Sequence, residues 1–134
     1  MTITIAGVPA PGGSKRALWK HGRIVVFDDA KNHRAWRKTC QVAARDAMER
    51  RAVLEGALRV LFQFTMPRPK RLTRCTRPVV RPDTTKLVRA VEDALTGIVW
   101  RDDAQITTQI AVKRYATAEV PVGCVVLIAA DADQ

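Results

Sequence analysis

The chain has 134 residues, of which 47% are hydrophobic and 27% are charged, a composition typical of globular proteins and not of disordered segments. Lysine and arginine outnumber the acidic residues by ten, which favours a polyanionic partner such as nucleic acid. No apolar run approaches the roughly 20 residues that span a bilayer, and MTITIAGVPAPGG lacks the pattern of a signal peptide. We therefore expect one cytoplasmic domain over residues 1–134.

The first half of the chain predicts three strands and a helix. Residues 2–6 alternate as a strand does, and a loop of prolines and glycines follows at 7–15. RIVVF, at 23–27, predicts a second strand, too far along the chain from the first for a tight hairpin. Asp28 or Asp29 is expected to cap a helix running to about Arg51. Residues 57–65 predict a third strand with its large apolar side chains on one face.

The second half predicts a basic loop, a second helix and three more strands. Residues 66–81 hold six cations, three prolines and no acid, which indicates an irregular arm. A helix is expected from about Thr84 to Leu95, with Gly97 as its C′ residue. Residues 98–100 and 105–115 are expected to pair across RDDA, and 122–130 to close the sheet. The order ββαβαβββ predicts an α+β fold, a mixed sheet with two main helices packed against it.

Acidic residues concentrate in one segment of this basic chain. Residues 81–106 hold five of the thirteen acids. Along the second helix, Asp83, Lys86, Ala90 and Asp93 are expected to form an edge beside the buried stripe, with Asp102 and Asp103 just beyond the helix end. Each aspartate alone has an ordinary structural explanation as a helix cap, an ion-pair partner or a turn residue.

Together, the carboxylates indicate a metal site. Converging carboxylates repel one another unless a cation offsets their charge, and hard oxygen ligands suit Mg²⁺ or its substitute Mn²⁺. An ion of this kind supports phosphodiester hydrolysis. The positive surface would attract nucleic acid, while the acidic site would hold the metal.

This segment, RPDTTKLVRAVEDALTGIVWRDDAQI, resembles the signature of RusA-type Holliday-junction resolvases, small homodimeric Mg²⁺-dependent endonucleases of bacteria and their phages. The resemblance rests on the long pattern PD..KL.R...DAL.G....DDAQ, and is weaker in GVPAPGGSKRA, MPRPK and KRY. It implies a RusA-like homodimer that cuts four-way DNA junctions in recombination and repair, in a bacterial host or a phage-infected cell. A C₂ dimer supplies the two symmetry-related cuts that this reaction needs.

The resemblance also implies roles for individual residues. Asp83 matches the first aspartate of a D-x-D metal-binding pair, Asp103 the catalytic aspartate, with Asp102 beside it, and Asp93 the aspartate of D-A-L. The family's catalytic lysine falls on Arg89.

Two departures change the expected site. The second aspartate of D-x-D is Thr85, so one carboxylate is missing, and Asp93, Asp102 or Glu92 are candidates to replace it, although Glu92 points away from Asp83 on a straight helix. Lys86 is a second candidate for the catalytic cation. Because arginine replaces the lysine, the charge is kept but not its size or hydration.

The basic loop is the leading candidate for DNA contact. Its expected phosphate-binding residues, with two more after the glycines, are Lys15, Arg16, Arg68, Lys70, Arg71, Arg74, Arg77 and Arg81.

Other functions are less well supported by the sequence. A junction-binding accessory protein that does not cut remains an alternative, because Thr85 replaces a ligand. Neither predicted helix has the basic amphipathic face of a membrane-surface protein. Gly13 stands where a phosphate-binding P-loop needs lysine, so no nucleotide cofactor is expected.

Overall fold

A computed structural model describes residues 1–12, 15–28, 30–72, 74 and 77–132, with side chains described except at 15, 16, 18, 26–28, 30 and 31. The elements in chain order are β1 (Thr2–Ala6), β2 (Lys15–Lys20), β3 (Arg23–Asp28), α1 (Ala30–Met48), β4 (Leu58–Met66), α2 (Thr84–Leu95), a 3₁₀ turn (Asp103–Gln105), β5 (Ile106–Tyr115) and β6 (Gly123–Ala130). The predicted α+β fold, a mixed sheet with two helices, is confirmed.

The main sheet has four strands in the order β1-β6-β4-β5. β6 runs antiparallel to both β1 and β4, whereas β4 and β5 are parallel. The last strand of the chain therefore lies inside the sheet, and β1 and β5 form its edges. Because β4 and β5 are parallel, the chain crosses over between them, and α2 lies on that crossover.

Both helices cover one face of this sheet and form the core with it. β4 sends Val60, Phe62 and Phe64 to that face, each fully buried. Leu87, Val91, Ala94 and Leu95 of α2 are also fully buried, as predicted. Trp36 of α1 and Trp100 are core residues. The far face has no helix against it in the described part of the chain, and Leu61, Val125 and Leu127 there are half-buried.

Two strand predictions are wrong. Residues 15–20, expected as a connection, form β2, which pairs with β3 across the two-residue turn His21-Gly22. Both turn residues have positive φ, 53° and 75°, as tight hairpin turns require. Residues 98–100 form no strand with 105–115. Trp100 makes only isolated bridges, and the expected hairpin turn is the 3₁₀ turn.

Helix boundaries follow the predicted signals closely. α2 spans the predicted residues and is followed by Thr96 as C-cap and Gly97 at φ +85°, the left-handed conformation expected of C′. α1 ends at Met48, three residues early. Asp28 is the last residue of β3, and the other candidate cap, Asp29, lies outside the described residues.

The segment before β2 packs tightly against α2. The Gly12 N–H donates to the Lys86 carbonyl at 2.9 Å, and a Cβ at Gly12 would lie 3.0 Å from the Ala90 Cα. Glycine is therefore needed at this position for close approach. The contact buries Ala90 and covers the middle of one edge of α2.

Cys40 and Cys124 are free and buried, and burial raises the pKa of both thiols, to about 12 for Cys40. Cys75 lies outside the described residues. Within the described part of the chain, none of the helices has the length and apolar character needed to cross a bilayer.

Candidate active site

An open pocket of about 350 Å³ lies between α2, the 3₁₀ turn and β5. α2 forms one wall, and Asp103 closes the end. Gln109 and Ala111 of β5 form the floor, because alternate residues of this strand face the helix. The lining residues are Thr84, Thr85, Val88, Arg89, Glu92, Asp93, Asp103, Gln109 and Ala111.

The pocket lies along the opposite edge of α2 from the one that the sequence predicted. At about 100° per residue, Thr85, Val88 and Glu92 lie on one side of the buried stripe, and Lys86 and Ala90 lie on the other. The second edge is covered at its middle by Gly12. Of the predicted edge, only Asp93 lines the pocket.

Glu92 lines this pocket and has a raised pKa. It is half-buried, and it accepts a hydrogen bond from the Gln109 side chain. Burial, followed by the nearby carboxylates of Asp103 and Asp93, raises the pKa of Glu92 from 4.5 to about 7, although the Gln109 hydrogen bond opposes the rise. Three carboxylates therefore share one electrostatic environment at the helix end.

The DDAQ segment is folded by two of its own side chains. The Asp102 carboxylate accepts from the Ala104 N–H at 2.8 Å, and the Gln105 side chain accepts from the N–H of Arg101 at 2.8 Å and of Asp102 at 3.2 Å. Gln105 also donates to the carbonyls of Leu54 and Gly56. Asp102 is thus engaged as a cap, and the adjacent Asp103 lines the pocket.

Asp83 and Lys86 lie at the start of α2, outside the pocket lining. The Asp83 carboxylate accepts from the Lys86 N–H at 3.0 Å and so caps the helix. The cap is held from β5, where the Lys113 ammonium donates to the carbonyls of Val80 and Pro82, each at 2.8 Å. Thr84, the next residue, is the first to line the pocket.

The sequence assigned no site role to Gln109 and only a minor one to Glu92. The available signal for Glu92 was its spacing: residues 85, 88, 89 and 92 repeat at helical intervals on one face. Gln109 gives no such signal, since its position depends on the register of β5 against α2.

The donors in the pocket suit a hydrated divalent cation. Within the described residues, no three His, Cys, Asp or Glu side chains converge closely enough to bind an ion directly. The carboxylates of Asp93 and Asp103 still act electrostatically on Glu92. Mg²⁺ commonly binds through one or two carboxylates and keeps several waters, and this donor set fits that mode.

The basic loop divides into one internal residue and several exposed ones. The Arg68 guanidinium donates to the carbonyls of Leu72 and Arg74, at 3.2 Å and 3.0 Å from its Nη2. Arg68 therefore folds the loop. The remaining predicted contact residues of the loop are exposed: Lys70, Arg71, Arg74, Arg77 and Arg81. The side chains of Lys15 and Arg16 lie outside the described part, although their backbone belongs to β2.

Comparison with known proteins identifies the family. A model of the endodeoxyribonuclease RusA family matches residues 9–123, which include every element from β2 to β5 and the whole pocket. The chain belongs to the RusA family. Membership supports a nuclease, and it confirms the resemblance of residues 81–106.

A relative in Bacillus subtilis (strain 168) is similar to this RusA-family chain well beyond residues 81–106. The protein, called uncharacterized protein YqaN, is 24% identical over 125 residues, which cover 85% of this chain and 87% of the relative. The two sequences therefore correspond along almost their full lengths.

Proposed function

We propose that this RusA-family chain is a Mg²⁺-dependent endonuclease that resolves four-way DNA junctions. The observation that carries the proposal is the pocket that Glu92, Asp93, Asp103 and Arg89 all line, within a chain of net charge +10. Carboxylates beside an arginine suit a site that holds a cation and a phosphate at once. Branched DNA is the substrate that the family resemblance implies.

The residues of the pocket divide this work between them. Glu92, Asp93 and Asp103 would hold the ion, which when bound supplies an activated water and a contact to the phosphate. Gln109 fixes the Glu92 carboxylate by its hydrogen bond. Arg89, also in the lining, is placed to donate to phosphate oxygens and to balance charge that develops on them.

Glu92 is our candidate to supply the carboxylate that is missing because Thr85 replaces the second aspartate of D-x-D. The two residues lie two turns apart on the same face of α2, and both line the pocket. Although Glu92 lies two turns from position 85, its carboxylate still interacts electrostatically with Asp103.

The second candidate function is a junction-binding protein that does not cut. It is favoured by the lack, among the described residues, of three acidic side chains close enough to bind an ion directly. Such a protein would bind four-way junctions with the same preference and leave them intact in Mg²⁺ or Mn²⁺.

Homodimerisation is part of the proposal. The far face of the main sheet carries apolar side chains in matched register, with Leu61 between Ile110 and Leu127. Ile110 is 52% exposed. A second copy packed on this face would bury the row and relate two pockets by a two-fold axis, as paired cuts require.

The test compares neighbouring aspartates on a synthetic four-way junction. With Mg²⁺, the wild type should produce paired nicks, and Asp103→Asn should slow cutting about 100-fold or more while junction binding is retained. Asp102→Asn is the matched control, because asparagine also caps the turn and should leave most of the activity.

Three results would contradict the proposal in different ways. Cutting that survives Asp103→Asn would remove the assigned site. Loss of cutting only in Asp102→Asn would move the site to the cap residue. Binding of junctions by the wild type without cutting would establish the accessory function instead.

A further inference from the structure

The β2–β3 hairpin, residues 15–28, is a separate two-stranded sheet that shares no hydrogen-bonded strand with the main sheet. Two large apolar side chains lie exposed near its turn. Trp19 is 74% exposed and Ile24 is 65% exposed, and the two residues are direct partners across the hairpin. An isolated hairpin has little core to bury such residues.

Trp19 differs from the other tryptophans of the chain. Trp36 and Trp100 have relative exposures of 3% and 0%, so both belong to the core. Ile24 lies directly opposite Trp19 on the neighbouring strand, the arrangement in which cross-strand side-chain pairs stabilise a hairpin. At 74% exposure, most of the ring surface remains open to a partner.

The surroundings of Trp19 are positively charged. Lys20 and Arg23 beside it are exposed, and β2 begins with Lys15 and Arg16. The sequence contains no acidic residue before Asp28. An exposed aromatic ring flanked by exposed cations matches the two features of nucleic acid, a charged backbone and flat bases.

We propose that Trp19 stacks on a base at the branch point of a DNA junction while Lys20 and Arg23 contact the adjacent phosphates. This inference rests on the proposed junction-binding function and adds a determinant of selectivity to it. In continuous duplex, each base face is covered by its neighbour, and inserting a side chain costs unstacking energy. At a branch point the stack is interrupted, so a ring can cover an open base face at lower cost.

The first test uses the emission of Trp19 itself. Because Trp36 and Trp100 are buried, only Trp19 should respond to contact with a base. The cleavage-deficient Asp103→Asn protein is titrated with a four-way junction and with duplex of the same arm sequence, and binding is followed independently by anisotropy of labelled DNA. Emission should be quenched by the junction and much less by the duplex, and Trp19→Phe should abolish the change. Junction binding without quenching would overturn the inference.

The second test measures selectivity. Trp19→Ala should weaken junction binding by about 5- to 100-fold, the range typical of loss of one base stack, and leave duplex binding nearly unchanged. Ile24→Ala is the matched control, because it removes the same cross-strand pair but keeps the ring, and it should cost much less. Equal losses in the two variants would overturn the inference, since they would indicate that the pair only maintains the hairpin.

Two further outcomes separate the alternatives. If Trp19→Ala weakens self-association in the absence of DNA, measured by sedimentation, the ring contacts a second copy and the inference fails. If the wild type prefers junctions but Trp19→Ala prefers them equally, the hairpin inference fails and the proposed function stands. A wild type with no preference for junctions overturns the proposed function and this inference with it.

Discussion

At the scale of single residues, Glu92 combines features that rarely occur together on a helix surface. It is half-buried, it is held by Gln109, and the carboxylates of Asp103 and Asp93 lie near enough to disfavour its ionisation. Its pKa of about 7 means that near neutral pH the side chain is partly protonated. A cation in the pocket would favour the ionised form and release this proton.

The raised pKa of Glu92 predicts a pH-dependent loss of stability without metal. Because the folded-state pKa, about 7, exceeds the ordinary value of 4.5, the contribution of Glu92 is fully favourable below about 4.5 and is lost as pH rises through about 7. Glu92→Gln should remove this loss, so its melting temperature relative to the wild type should rise across that pH range in EDTA.

The control for this prediction is Glu55→Gln, the same substitution at a glutamate outside the pocket whose side chain is 71% exposed. The melting temperature of Glu92→Gln is compared with that of this variant at each pH. A Glu92→Gln difference that stays constant from pH 4.5 to 7 would show that Glu92 does not titrate as stated.

The sequence predicts which kinds of residue form the candidate site, but it does not predict which of them lie next to one another. Helical periodicity separates Glu92 from Asp83 around α2, and only Glu92 lines the pocket. It could not show that Asp103 would lie on the Glu92 side, because this depends on how the 3₁₀ turn is pinned by Gln105 to residues 54–56. The contact is long-range, and no local pattern encodes it.

At the scale of elements, the basic loop is both a folded segment and a charged surface. The Arg68 guanidinium donates hydrogen bonds to two carbonyls of the loop, whereas the Arg71 and Arg74 side chains are exposed. A guanidinium that already donates to carbonyls is less available for phosphates. Arginines of one loop should therefore have different effects when they are replaced.

Replacement of Arg71 and Arg74 by alanine should change the salt dependence of DNA binding. Each lost phosphate contact makes the slope of log binding constant against log salt concentration less negative by about 0.9. The slope for the double variant should therefore be less negative by roughly 2 per subunit. Arg68→Ala should instead loosen the loop and accelerate trypsin cleavage within 70–77. An unchanged slope in the double variant would remove these two arginines from the interface.

Strands were harder to predict than helices, for a physical reason. The ends of α2 carry local signals in Asp83 and Gly97, and both act as expected. β2 has no alternating pattern, because its hairpin is exposed on both faces near the turn and has no core to select one. Residues 98–100 are apolar because Val99 and Trp100 fill the core beyond α2. A short apolar segment that is buried without pairing has the same sequence pattern as a short strand.

At the scale of the whole molecule, the charge distribution is the main functional feature. A net charge of +10 attracts DNA from a distance. The acidic pocket is a local exception, formed where α2, the 3₁₀ turn and β5 meet. The family match spans all three of these elements, so charge and architecture support the same class of enzyme.

This arrangement predicts that divalent cations stabilise the free protein beyond any effect of ionic strength. Folding brings Glu92, Asp93 and Asp103 together against their repulsion, and an ion that binds only the folded state offsets that cost. At a Mg²⁺ concentration near 100 times its Kd, stabilisation of about 2.7 kcal/mol should raise the melting temperature by several degrees. NaCl of equal ionic strength should not reproduce this rise, and Asp103→Asn should diminish it. An equal response of both proteins to Mg²⁺ would place the ion elsewhere on the molecule.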